Sequence, residues 1–245
     1  MPYTPAVTYT VKELFDTLQG EGARAGARSI FIRLAGCNYW NGKPEGRGSG
    51  TAACSLWCDT DFVGGEKLSV DQIVSQCEKL WPTPGDRWVV FTGGEPLLQL
   101  DDALIVALHR ADFQIAVETN GSQPAPVGLD WVTVSPKMAH QNVGLAVAHG
   151  QELKVVLPGA VDGDGWHPER LESLRINTTF DHYYVQPQDP IDSNHVSLSH
   201  LTATSQLPGW FRQEYQANLA RCIEFVKCHP QWMLSLQTHK WMGLR

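Results

Sequence analysis

The chain lacks a cationic start followed by an apolar run. It begins Met1-Pro2-Tyr3-Thr4-Pro5, so no secretory leader is expected. It also lacks an uninterrupted apolar stretch long enough to cross a bilayer as a helix, and the expectation is a soluble, cytoplasmic protein with no membrane partner. Basic excess is missing as well. With a formal net charge of −7 the chain offers phosphate backbones no general attractive field, so nucleic acid is not expected as a direct partner, though local basic pockets stay open. No internal repeat is evident. Only one short cysteine pair exists, whereas closed structural zinc sites usually repeat one.

What is present is a foldable composition. A chain of 245 residues, 42% hydrophobic with nine Trp, is a globule with room for one α/β domain or two small ones. Six cysteines in a reducing compartment stay thiols unless they bind metal. Cys37, Cys54 and Cys58 share one stretch, 37–62, rich in Gly and Asn. Three thiolates with one open position suit an iron–sulfur cluster whose fourth iron binds something else. A zinc site using the same thiols with His239 or His140 is the rival. Cys77 and Cys222 fall on apolar helical stripes and read as core, and Cys228 reads as an unpaired thiol near a helix end.

Elsewhere one arrangement recurs, a strand that ends in a polar cluster. An extended pattern at Tyr9–Phe15 leads to Leu18-Gln19-Gly20-Glu21-Gly22. There Gln19 presents donor and acceptor and Glu21 accepts only; together they can read a heterocycle edge or stand as a solvated turn. Ser29–Leu34 reads as a strand buried on both faces, interrupted by Arg33, which can clamp a substrate carboxylate or pair with a structural acid. Ser69-Val-Asp-Gln72 has the form of a capping box, opening a helix whose stripe includes Ile73, Cys77 and Trp81. The strand Trp88–Thr92 runs into Gly93-Gly94-Glu95-Pro96, where a ligand can approach the main chain and Glu95 offers a carboxylate to an ammonium.

Asp101 or Asp102 caps the next helix, and the strand Gln114–Glu118 ends in Thr119-Asn120-Gly121. Trp131–Ser135 ends in Pro136-Lys137, reached by a connection too short for a full helix. Glu152–Leu157 and Asp181–Val185 are further strands, the latter ending at Gln186-Pro187. Residues 188–210 show little periodicity and read as a surface excursion. Tyr215, Leu219, Cys222, Ile223 and Val226 mark a helical stripe, and a last strand, Trp232–Leu236, exits into Gln237-Thr238-His239-Lys240. Polar clusters after strand upon strand are the layout of a parallel barrel, or an open part of one, with its site at the C-terminal face.

The cysteine loop after one strand and Gly93-Gly94-Glu95-Pro96 after the next resemble the radical S-adenosylmethionine superfamily. Leu18-Gln-Gly-Glu-Gly22, Arg33-Leu-Ala-Gly-Cys-Asn38, Cys58-Asp-Thr-Asp-Phe62, Thr92-Gly-Gly-Glu-Pro96, Glu118-Thr-Asn-Gly121, Ser135-Pro-Lys137 and Gln237-Thr-His-Lys240 resemble, within it, the 7-carboxy-7-deazaguanine synthase family. The set spans nearly the whole chain in order. Sixteen residues separate Cys37 from Cys54 and three separate Cys54 from Cys58; the wide first gap fits the family and the second departs from the superfamily's usual two.

The resemblance implies a single domain over 1–245, an α/β partial or modified (β/α)6 radical S-adenosylmethionine barrel with largely parallel strands. It implies a [4Fe–4S] cluster on Cys37, Cys54 and Cys58, with S-adenosylmethionine chelated at the open iron. Gly93, Gly94 and Glu95 would receive its methionine end, and Asn120, Ser135, Lys137 and Gln186 its remaining polar groups. The implied substrate, 6-carboxy-5,6,7,8-tetrahydropterin, would meet Gln19, Glu21, Arg33, Thr92 and His239, and Thr60 would help hold Mg2+. Ring contraction with loss of ammonia would then give 7-carboxy-7-deazaguanine for queuosine and other deazapurines. An external electron donor such as flavodoxin, and a homodimer, are implied in the same way. Rivals are another radical enzyme of the superfamily, such as a glycyl-radical activase, and a non-enzymatic zinc module.

Overall fold

Strict alternation along the strands gives this fold two differently built faces. The structure, a computed structural model, describes residues 7–47, 53–137, 144–159, 165–190 and 208–244. Its strands are β1 (Thr8–Leu18), β2 (Arg28–Leu34), β3 (Glu66–Ser69), β4 (Arg87–Gly93), β5 (Phe113–Thr119), β6 (Trp131–Val134), β7 (His149–Leu157), β8 (Thr179–Pro187) and β9 (Met233–Leu234). They form one sheet in the order β3-β1-β2-β4-β5-β6-β7-β8-β9. From β2 to β9 every pairing is parallel, while β1 runs antiparallel to both its neighbours. The order has two ends, so this largely parallel α/β barrel is open.

The α-helices among the described residues are α1 (Val70–Leu80), α2 (Asp102–Arg110), α3 (Pro168–Ile176), α4 (Gly209–Cys228) and α5 (Thr238–Met242), with four short 3-10 turns besides. The first two pack on one half of the sheet, over Ile30, Ile32, Leu34, Val89, Phe91, Ile115 and Val117. On the other half, Leu171 of α3 and Cys222 and Phe225 of α4 cover Leu153, Val155, Leu157 and Val185. Val132 touches both clusters, so the outer layer is continuous. Burying these β-branched and aromatic side chains, at about 1.5–3 kcal/mol each, is what fixes strand register: a one-residue slip would turn them all inward.

Local signals set the helix starts. Ser69 accepts from Gln72 N while the Gln72 side chain accepts from Ser69 N, closing the capping box. Asp101 is the cap of α2: its Oδ1 accepts from Leu104 N at 3.1 Å and from the Tyr9 hydroxyl at 2.6 Å, which also fastens β1 to the helix. Residues 120–130 contain no helix, as the short connection requires.

Four expectations are corrected. Ser29–Leu34 is not buried on both faces, because Phe31 and Arg33 point into the open side of the barrel and are only half-buried. The span 188–210 is not a surface excursion at its start, and at its end it is helical. Gln188, Asp189 and Pro190 are buried, and residues 209–210 already belong to α4; residues 191–207 lie outside the described residues, as does His140. On α4 the buried line runs through Phe211, Asn218, Cys222 and Phe225, leaving Ile223 exposed. The last strand keeps only Met233–Leu234, and the Ser235 N–H makes its final ladder bond, to Val185 O at 2.9 Å. Helix α3 gave no sequence signal, for of its residues only Leu171 is buried.

Candidate active site

The residues interleaved with the outer core face the barrel interior. Part of this inner face is filled by apolar side chains: Trp88, Val90, Ala116, Phe31 and Trp131 form a separate cluster. The Arg24 guanidinium lies 3.4 Å over the Trp88 ring and 5.6 Å from that of Trp131. Elsewhere the inner positions turn polar and line a cavity of about 500 Å3. Gln19, Glu21, Arg33, Thr92 and His239 all line it, and so does Thr60 from the cysteine loop. The turn 18–22, for which the residues alone left a heterocycle edge and a solvated turn both open, thus lends residues 18–21 to the cavity wall.

Glu21 is the most tightly held of these. One carboxylate oxygen pairs with Lys154 Nζ and the other accepts from Gln237 Nε2 at 2.7 Å. Burial alone would raise its pKa, but Lys154, His239 and the two hydrogen bonds outweigh that, leaving a carboxylate held at about 2. Lys154, buried beneath the cavity, is itself pushed upward because Glu118, Glu21 and Glu152 outweigh its desolvation. Gln19 donates from Nε2 to Glu118 Oε1 at 2.8 Å and accepts from Glu21 N at 3.1 Å, which fixes its amide orientation. His239 is shifted below its ordinary value, mainly by burial. Its ring packs so closely on Gly20 that a Cβ there would overlap it, which explains glycine at that position. Arg33 Nε contacts Glu13 Oε1 at 2.7 Å, so the structural-acid reading of Arg33 holds as well as its place in the cavity.

Of the remaining predicted residues, all but Gln186 group around the exits of β4, β5 and β6. A Cβ at Gly93 would run into the Leu34 carbonyl and one at Gly94 into the Gly36 carbonyl, so the glycines let the β4 exit lie flat against the segment entering Cys37. Glu95 is fully buried. Its oxygens accept from Leu97 N at 2.9 Å, Thr119 Oγ1 at 2.7 Å and Asn120 N at 2.7 Å, and burial still raises its pKa. Glu95 therefore joins the exits of β4 and β5. Asn120 Nδ2 donates to Asn38 Oδ1 at 3.1 Å, tying that junction to the cysteine loop. Lys137 Nζ donates to Ser135 Oγ at 3.0 Å. Gln186 lies apart from both groups, accepting from Ser235 Oγ at 2.8 Å, which in turn accepts from Gly22 N.

The cysteine loop closes at its base through Gly36 N to Phe62 O, 3.2 Å, and within it Cys58 N donates to Cys54 O at 2.7 Å. Arg47 pins it by donating to the carbonyls of Ser55 and Cys58 and by lying 4.4 Å from the Trp40 ring. Cys37, Cys54 and Cys58 are free thiols that act electrostatically on one another and feel Lys137 in common. Burial raises all three, Cys54 to about 12, so they are neutral until a cation stabilises the thiolates. Among the described residues no three His, Cys, Asp or Glu side chains converge on a point that suits a single metal ion. Three thiols in one neighbourhood are the ligand type that holds iron–sulfur clusters. Buried N–H groups of Trp40, Arg47 and Trp57, all in this loop, have no hydrogen-bond acceptor among the described residues, and cluster sulfur would supply one. The donor set fits such a cluster.

Sequence reasoning assigned no role to Lys154, Glu118, Lys240 or Asp59. Lys240 Nζ binds Asp59 Oδ2 at 2.9 Å, Gln237 Oε1 at 2.8 Å and Asp189, joining the cysteine loop to the exits of β8 and β9. The signal for Lys154 was a charged residue inside the otherwise apolar run Leu153-Lys-Val-Val-Leu157.

No protein-family model matches the chain. It is 42% identical over 245 residues to the 7-carboxy-7-deazaguanine synthase of Caulobacter vibrioides, covering 97% of this chain and 100% of that one. To the protein of the same name from Bradyrhizobium diazoefficiens it is 43% identical over 246 residues, covering 98% and 100%. Among solved structures, QueE from Escherichia coli is similar in fold, with a TM-score of 0.61 over 94% of each chain at 24% identity.

Proposed function

The chain belongs to the 7-carboxy-7-deazaguanine synthase family, and we propose that it contracts the ring of 6-carboxy-5,6,7,8-tetrahydropterin to 7-carboxy-7-deazaguanine with loss of ammonia. The observation that carries this reading is the single cavity that gathers Gln19, Glu21, Arg33, Thr92 and His239 beside the cysteine loop. Membership implies S-adenosylmethionine and an iron–sulfur cluster. Cys37, Cys54 and Cys58 would hold the cluster, and when bound the pair supplies the radical that takes hydrogen from the substrate.

The residues of this chain would do the rest. Arg33, with a planar fork of donors, holds the substrate carboxylate; Glu21 and Gln19 meet the N–H and carbonyl edge of the pterin; His239 and Thr92 close the sides. Thr60 and the substrate carboxylate supply hard oxygen ligands suited to Mg2+. Gly93, Gly94, Glu95, Asn120, Ser135, Lys137 and Gln186 form the seat of S-adenosylmethionine, Glu95 through the β4–β5 junction it holds. The cavity keeps water from the reacting carbon. We further read the chain as one cytoplasmic domain, working as a homodimer and reduced by a donor such as flavodoxin. No helix of the described residues is long and apolar enough to cross a membrane.

The test is anaerobic turnover by cluster-reconstituted protein with reductant, S-adenosylmethionine and the tetrahydropterin, with and without Mg2+, read by mass spectrometry. Formation of 7-carboxy-7-deazaguanine is expected. Its absence with an intact cluster would overturn the substrate assignment, and turnover indifferent to Mg2+ in the wild type and in Thr60→Ala would remove the metal.

A further inference from the structure

Lys154 is an ammonium on the inner face of β7, flanked by Leu153 and Val155 of the outer core. Its side chain is 4% exposed, which a lysine tolerates only when paired. The partners are the cavity's own acids: Nζ contacts Glu21 directly and stands 3.9 Å from Glu118 Oε2. Glu118 in turn holds the Gln19 amide. One buried cation thus sets two carboxylates and an amide that all line the cavity.

We propose that Lys154 is a positioning residue for substrate recognition, fixing Glu21 and Glu118 as a pair of acceptors that select a ligand edge with adjacent N–H donors. This deepens the pterin reading and rests on it, since the aminopyrimidinone edge of a pterin carries such donors. Lys154 touches no substrate in this scheme. It acts through Glu21, whose oxygens each have a lone pair left after Lys154 and Gln237 are satisfied. Lys154 from β7 and His239 from α5 face Glu21; Glu118 of β5 and Glu152 of β7 share Lys154 with it, and further off Lys240 of α5 pairs with Asp59 and Asp189. Acids outnumber cations there. Without Lys154 the buried Glu21 carboxyl would take up a proton as the pH falls toward neutrality, and an acceptor would become a donor.

The experiment uses cluster-reconstituted full-length protein with S-adenosylmethionine and, as probe, the unreactive oxidised analogue 6-carboxypterin. Its Kd is followed from pH 6 to 8 by fluorescence. Lys154→Met is expected to bind about tenfold more weakly at pH 7 than wild type, with the loss growing as the pH falls. Lys154→Arg is expected to restore a flat profile, and Glu21→Gln to be weak but flat. Wild-type affinity with an unchanged profile in Lys154→Met would overturn the proposal. A ligand-free readout accompanies it: Glu21→Gln should lower the Tm in the wild-type background and raise it in the Lys154→Met background. Equal effects in both backgrounds would overturn the pairing. Should Lys154→Met fail to fold, recovery on adding Glu21→Gln supports the pairing and no recovery overturns it. If the wild type ignores the pterin while the Tm effects change sign, the substrate reading fails and the positioning by Lys154 stands.

Discussion

On the outer face of β2, β4 and β5 stand Ile30, Ile32, Leu34, Val89, Phe91, Ile115 and Val117, and on the inner face, one residue out of step, stand Phe31, Arg33, Trp88, Thr92 and Glu118. The same strands therefore do two jobs. The outer set removes apolar area from water and has no polar atoms to satisfy; the inner set places charges where solvent is scarce and must pair each one. The difference teaches that stability and recognition are separable in this molecule by residue parity, and that they should respond to different mutations.

The largest expected effect is on the outer face. Phe91→Ala should cost about 3–5 kcal/mol in urea unfolding while leaving the Kd for 6-carboxypterin, measured well below the transition, within about twofold. A cost under about 1 kcal/mol would break the comparison. Next comes acid. Glu21 is held at about 2 against an ordinary 4.5, so its contribution to stability, roughly 3 kcal/mol, is fully present above about pH 4.5 and is lost as the pH falls toward 2. Glu95 has the opposite sign: raised by burial, it withdraws stability as the pH climbs from the ordinary carboxylate value through its own. Unfolding midpoints from pH 3 to 7 should show Glu21→Gln flattening the loss at the acid end and Glu95→Gln flattening the fall toward neutral pH; matching slopes in both variants would contradict the assignments.

Arg33→Met sharpens the inner side of the contrast. It should weaken ligand binding about 10–100-fold, the loss of a charge-assisted contact, and change stability by no more than about 1 kcal/mol because its pair with Glu13 is partly solvated. A stability loss larger than the affinity loss would assign Arg33 to structure. The smallest effect separates two cysteines of α4. Cys228→Ser, at an exposed thiol, should stay within about 0.5 kcal/mol, whereas Cys222→Ser puts a hydroxyl among Phe225 and Trp232 and should cost about 1–3 kcal/mol by the same assay.

Much of the fold was legible because its signals are short-range. Capping at Ser69 and Asp101, the β-branched runs at Ser29–Leu34 and Trp88–Thr92, and the helix-free link to β6 all follow from neighbours in sequence. The five cavity residues were legible through the resemblance rather than through periodicity, which left Gln19 and Glu21 as turn residues. Helix α3 stayed hidden because it buries little, and the α4 stripe was misplaced because Phe225 and Ile223 are equally apolar on paper.

By itself the sequence determined the alternation of each strand, the polar residue at each strand exit and the three thiols of one loop. Alternation is symmetric, however: it says that Phe91 and Thr92 face opposite ways without saying which face is the cavity. Only the tertiary structure decided that, by laying helices over one side and leaving the other concave. It also decided who neutralises whom, for Glu21 and Lys154 lie 133 residues apart and meet only because β7 joins the same parallel sheet. Coulomb attraction inside a buried site depends on distance through space, and no local pattern in the chain records that distance.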